Sequence, residues 1–158
     1  MFIADVAKGV AAVHAQALVN RVGGVEGPAA GGAWACALGL AAVLGHTYTV
    51  FLKFRGGKGV ATSLGVLLAL APLASLVALG TFGAVFAATR MVSAGSLAAA
   101  LALPAVLVAR DLHQGGGPAA VTVLALLLAV LVWARHIPNL RRIAAGTEHR
   151  FGGPGGRA

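Results

Sequence analysis

Six apolar runs occupy most of this chain: Phe2 to Val22, Gly31 to Leu52, Val60 to Ala71, Leu73 to Thr89, Val92 to Ala109 and Ala119 to Ala134. About 20 helical residues span a bilayer core, and lipid tolerates a backbone only when its polar groups are bonded internally. Each run is therefore predicted to be a helix. The expected fold class is an all-α, polytopic integral membrane helix bundle with about six transmembrane helices. Composition agrees: only 10% of the 158 residues are charged and 59% are hydrophobic, against about 25% charged in an ordinary soluble domain. Mean hydropathy is +0.90. The chain reads as a single membrane domain over residues 1–158, of which 135–158 form a polar C-terminal tail.

The net charge of +8 does not indicate a nucleic-acid partner, because the basic residues close apolar runs instead of forming one soluble face. Their distribution instead sets topology. Arg135, Arg141, Arg142, Arg150 and Arg157 follow the last run, so the positive-inside rule places the tail in the cytoplasm. Lys53, Arg55 and Lys58 fall on the same side only if the short Val60 to Ala71 run changes sides, with Pro72 at the following turn. This count puts ten of the twelve Lys and Arg residues inside and leaves Arg21 and Arg110 outside. Glu26 to Gly32 and Arg110 to Pro118 read as turns. The first residues lack the basic start and cleavage site of a signal peptide.

Several chemistries are absent. No histidine precedes an aspartate by five residues, there is no Gly-x-Ser-x-Gly elbow, and no pair of zinc ligands shares a helix. Cys36 has no partner cysteine. Neither a covalent serine mechanism nor a metal or other cofactor is expected.

Two segments remain. Arg55 to Ser63 brings a glycine-rich turn into a helix start. Such a turn offers backbone N–H groups, a partial positive charge and the Lys58 ammonium to a phosphate, although its spacing is not that of a Walker A loop. A basic connection that only sets orientation accounts for the same residues. In the second segment, Arg135 to Arg142, His136 and Asn139 lie three apart and Arg142 one step further. They share a face if the segment is helical, with Pro138 confined to its first turn. That set suits an anionic substrate carrying hydroxyl groups, and equally a juxtamembrane anchor for anionic lipid. His46 beside Tyr48 suits an interfacial anchor or a functional group, Ser93 a ligand contact or a helix cap, and Asp5 with Lys8 a local pair.

GGKGVATSLG (Gly56 to Gly65) and RHIPNLRRIAAGTEHRF (Arg135 to Phe151) resemble the second and third signature motifs of the PlsY family, bacterial acyl-phosphate:glycerol-3-phosphate acyltransferases. GHTYTVF (Gly45 to Phe51), Asp5 to Gly9 and Arg90 to Ser93 resemble that family's intervening stretches in order and spacing. The resemblance implies acyl transfer from acyl phosphate to the 1-hydroxyl of glycerol 3-phosphate, giving lysophosphatidate and phosphate. It also implies membrane lipids as surroundings and a bacterial cytoplasmic membrane location, with the motifs and C-terminus on the cytoplasmic side. Carried over by position, Lys58, His136 and Asn139 are the catalytic set. Gly56, Gly57, Gly59, Thr62, Ser93 and Arg142 are expected to bind substrate or phosphate, and His46 and Glu148 to support them. The family has seven crossings, and removing one N-terminal crossing leaves six. Its first motif, a Ser-Gly-Asn-x-Gly-Ala-Thr-Asn-like stretch, has no counterpart here. Either the start codon has been placed too late or the chain is a truncated, inactive version, and the mid-helix start at Phe2 favours the first expectation. The competing reading is a non-enzymatic bundle, either a transporter subunit that binds an anion or a protein that holds anionic lipid.

Overall fold

A computed structural model describes residues 1–23, 28–49, 56–117 and 119–152. Every regular element among them is helical: α1 (Phe2–His14), α2 (Gln16–Gly23), α3 (Pro28–Thr47), α4 (Val60–Leu70), α5 (Pro72–Thr89), α6 (Val92–His113), α7 (Ala120–Arg135) and α8 (Ile137–Ala144). The six apolar runs thus become helices among the described residues, the second of them as far as Thr47. Three stretches, Phe2–Val22, Pro72–Thr89 and Val92–His113, are long and apolar enough to cross a membrane, and α7 with α8 forms a further apolar pair bent by 55°. The first run is divided only by a turn at Ala15, which keeps right-handed helical angles.

Boundaries differ from expectation where the membrane penalises open backbone. Pro28 to Gly32, assigned from sequence to a turn, open α3 instead. Proline is tolerated in a first helical turn, and extending the helix bonds more peptide groups internally. The rest of that turn, together with Lys53, Arg55, Pro118 and Arg157, lies outside the described residues. The fourth helix is short, its 11 residues rising about 16 Å. The predicted break at Pro72 is found, with Pro72 opening α5.

Small residues set the packing. α1 crosses α4 where Gly9 meets the Thr62 carbonyl and Gly65 meets the Val6 carbonyl, contacts too close for any side chain. α5 pairs with α6, and Gly95 there lies against the Phe82 ring. Lipid supplies no hydrophobic drive between helices, so such close backbone approach is a main source of their cohesion. The core is filled by Val43, Val66, Leu103, Leu107, Leu124 and Leu128. At the end of α6, Asp111 accepts hydrogen bonds from Ala119 N–H (2.9 Å) and the Thr122 hydroxyl (2.6 Å), and so caps α7 from a neighbouring helix. At the opposite end of the bundle, the α3 C-terminus, the α4 N-terminus, the α6 N-terminus and the α7–α8 bend converge on one site.

Candidate active site

Gly59 precedes α4 with φ +77°, a left-handed conformation suited to glycine, and its α-carbon packs against the Thr47 hydroxyl. Gly56 lies against the carbonyls of His46 and Thr47, and Gly57 against the His46 ring. This loop therefore rests on the last turn of α3 and carries Lys58 at the cavity mouth. Val60 and Ala61, in the first turn of α4, line the same cavity, where a helix start leaves N–H groups without intrahelical partners.

The α7–α8 bend falls on His136, which ends one helix and opens the next, with Pro138 in the first turn of α8 as the sequence required. Its imidazole is 2% exposed, and Nδ1 donates to the Val132 carbonyl at 2.7 Å. A carbonyl can only accept, so Nδ1 carries the proton and neutral His136 turns Nε2 outward as an acceptor.

Asn139, also buried, joins the two motifs. Lys58 Nζ donates to its Oδ1 at 2.7 Å, and its Nδ2 donates to Glu148 Oε1 at 2.6 Å. Ammonium only donates and carboxylate only accepts, so the chemistry fixes the orientation of the amide. Glu148 is the hub: it also accepts from Ser93 Oγ at 2.6 Å and from Arg142 Nε at 2.7 Å. The tail that carries Glu148 is pinned by a Phe151 N–H bond to the Arg90 carbonyl, 2.9 Å, and by edge-on packing of Phe151 on Phe86.

The structure thus gathers Lys58, His136, Asn139, Ser93, Arg142 and Glu148, with Gly57, Gly59 and His46 beside them. Gly56 supports the loop from below. Thr62 departs from its assignment: it is fully buried, with its carbonyl against Gly9 of α1, while the next residue, Ser63, lines the cavity. Thr62 precedes Ser63 by one residue, or about 100° of helix, and α1 claims the Thr62 face. Ser93 does not cap α6. Arg135 was not assigned from sequence, yet it donates to the Gly56 carbonyl at 3.2 Å and lies over the Tyr48 ring at 5.6 Å. Its sequence signal was only its place in the third motif.

The electrostatics are polarised. Burial lowers the His136 pKa below its ordinary 6.5, opposed by the Val132 bond and aided by nearby Lys58, with Glu148 acting in the other direction. Desolvation also lowers the Lys58 pKa, with Glu148 opposing. For Glu148, burial pushes upward, but hydrogen bonds from Ser93, Asn139 and Arg142 prevail and bring it from 4.5 down to about 2. Neutral His136 therefore contributes stability that is complete above pH 6.5 and declines as pH falls below it. The ionised Glu148 contribution is complete above pH 4.5 and is lost as pH falls towards about 2. A histidine-selective NMR titration is expected to give His136 a midpoint below 6.5, lowered further in Glu148→Gln. A midpoint at or above the ordinary value would contradict the buried, backbone-bonded imidazole.

From this polar end a cavity of about 520 Å³ runs between α1, α4, α5, α6 and α7. Its inner wall is apolar, formed by Leu67, Ala78, Phe82, Leu103, Pro104 and Leu128. Among the described residues no group of three or more histidine, cysteine or carboxylate side chains could hold a metal ion. Fold and site define a helical integral membrane protein with a polar, cation-bearing site at the head of an apolar cavity.

A sequence profile described as glycerol-3-phosphate acyltransferase matches residues 1–146. A protein of that name from Geobacter sulfurreducens is 48% identical over 121 residues, covering 75% of this chain and 58% of the relative. One from Methylorubrum populi is 46% identical over 156 residues, covering 94% and 71%. The chain thus spans little more than half the length of some curated relatives. Crystal structures of PlsY, an integral membrane glycerol 3-phosphate acyltransferase, in glycerol 3-phosphate and lysophosphatidic acid forms both superpose with TM-score 0.76 at 34% identity. They cover 96% of this chain and 69% or 70% of theirs. The chain belongs to the glycerol-3-phosphate acyltransferase family.

Proposed function

We propose that the protein transfers an acyl group from acyl phosphate to the 1-hydroxyl of glycerol 3-phosphate, releasing lysophosphatidate and inorganic phosphate. One observation carries this reading: the apolar cavity opens directly onto Lys58, His136 and the α4 start. That arrangement matches an amphiphile with an apolar chain and a phosphate head. Lys58, with the backbone of Gly57 and Gly59, holds phosphoryl oxygen. Asn139 and Glu148 set the direction of Lys58, and Ser93 and Arg142 complete the polar rim. Neutral His136 presents Nε2 to the glycerol hydroxyl and orients its oxygen towards the acyl carbon. The new ester C–O bond forms as the acyl–O bond to phosphate breaks, and the hydroxyl proton passes to the departing phosphate. An acyl phosphate is already activated, so positioning and charge stabilisation suffice without a protein nucleophile. The basic residues of the tail and of the Lys58 loop support a reading with this site on the cytoplasmic side of the bacterial cytoplasmic membrane.

The test is turnover by the full gene product in membranes supplied with acyl phosphate and labelled glycerol 3-phosphate. Lysophosphatidate and phosphate are expected in equal amounts. Turnover with acyl-CoA but not acyl phosphate would refute the donor, and full activity in His136→Ala would refute the role of the imidazole.

A further inference from the structure

Asp5, on α1, is 9% exposed and lines the cavity wall close to the glycine loop. Its local partner does not explain that burial. Lys8 reaches Asp5 Oδ1 at 3.1 Å, but the Lys8 side chain is 65% exposed, and such pairs contribute little while burying a carboxylate is costly. The other side chain facing Asp5 is His46, whose Nδ1 lies 3.6 Å from the same oxygen. That separation is just beyond hydrogen-bond distance, so the carboxylate and the imidazole face each other at contact range.

The far edge of the same imidazole is the floor of the loop. A side chain at Gly57 would strike His46 Nε2, and one at Gly56 would strike the His46 carbonyl. The Thr47 hydroxyl stands 2.8 Å from where a Gly59 side chain would begin. Of these three supports, two belong to the short, fixed Thr47 and the α3 backbone. Of the three, the imidazole is the support whose other edge faces a charged group, Asp5.

We propose that Asp5 is a positioning residue of this site: it orients the His46 ring, which supports the Gly56 to Gly59 loop and so fixes where the Lys58 ammonium stands. With Nδ1 turned to the carboxylate, Nε2 faces the loop at Gly57. Asp5 touches no reacting atom in this scheme. Its effect reaches the chemistry only through His46.

The kinetic test rests on the acyl transfer proposed above and uses the full gene product in nanodiscs. Asp5→Asn is expected to lower kcat by roughly 10-fold, the order that a sub-ångström misplacement of a binding charge produces, with little change in KM for glycerol 3-phosphate. In a His46→Ala background the same substitution should cost less than about twofold, because the intermediary is gone. Lys8→Ala should leave kcat within about twofold, since an exposed pair contributes little. Fully additive losses, or a Lys8→Ala loss equal to that of Asp5→Asn, would overturn the proposal. Hydrogen exchange of the 56–59 segment gives a readout independent of turnover, and it should quicken in Asp5→Asn while the melting temperature stays near that of the parent. Unchanged exchange would overturn the positioning role even with catalysis intact. Absence of turnover in the parent chain would instead count against the assigned reaction.

Discussion

Lys58→Met is expected to lower kcat/KM by about 1000-fold, the upper range for removing one group that stabilises developing charge. Methionine keeps the length and apolar stem of the side chain, so only the ammonium is lost. That ammonium is solvent-accessible and donates to Asn139 Oδ1 at 2.7 Å, so the substitution leaves that one buried acceptor unpaired at a cost of about 1–3 kcal/mol, which the melt reads separately from the loss of rate. Lys58→Arg is not expected to restore the rate. A planar guanidinium needs more room than the point charge it replaces, between two glycines already pressed on His46 and Thr47. Steady-state kinetics with acyl phosphate and a thermal melt check the pair, and activity within threefold of the parent would remove Lys58 from the mechanism.

Gly65→Val is expected to destroy the α1–α4 crossing. Its new side chain would meet the Val6 carbonyl oxygen, with Val6 C at 2.9 Å and Cα at 3.0 Å. These are backbone atoms, so the helices must separate. The reciprocal glycine, Gly9, is equally tight against Val66 N at 2.7 Å. Overpacking of this kind costs about 3 kcal/mol or more, enough to unfold a marginal bundle. Gly80→Val is the control, because nothing lies within 4 Å of the position its Cβ would take. Size-exclusion profiles and melting curves in detergent should separate the two variants. Equal behaviour would mean that the crossing does not hold α1 in place.

The residues differ in how far their roles could be read in advance. Lys58 stood out in a glycine-bearing polar break between apolar runs, and His136 and Asn139 in the proline-bearing polar segment directly after the last run, where local pattern is informative. Glu148 was legible only as a support of the tail, since nothing nearby in sequence shows that Ser93, Asn139 and Arg142 converge on it. Thr62 was assigned to the site but is fully buried, with its carbonyl against Gly9 of α1, whereas its neighbour Ser63, which lines the cavity, was passed over. Their difference is helical phase, which is set by the helix that packs alongside. Asp5 looked like half of a local pair with Lys8 because spacing of three is visible in sequence, and the approach of α3 with His46 is not.

The succession of apolar runs and basic breaks by itself determined that the chain is a membrane helix bundle, and where its polar chemistry lies along the chain. The bilayer imposes that result locally, run by run, because each peptide group must bond within its own segment. Only the tertiary structure decided that Lys58 and Asn139, 81 residues apart, share one hydrogen bond at the head of an apolar cavity. That meeting depends on which helix faces touch: α3 and α4 pack on α7, which leads into α8, through contacts between residues distant in sequence.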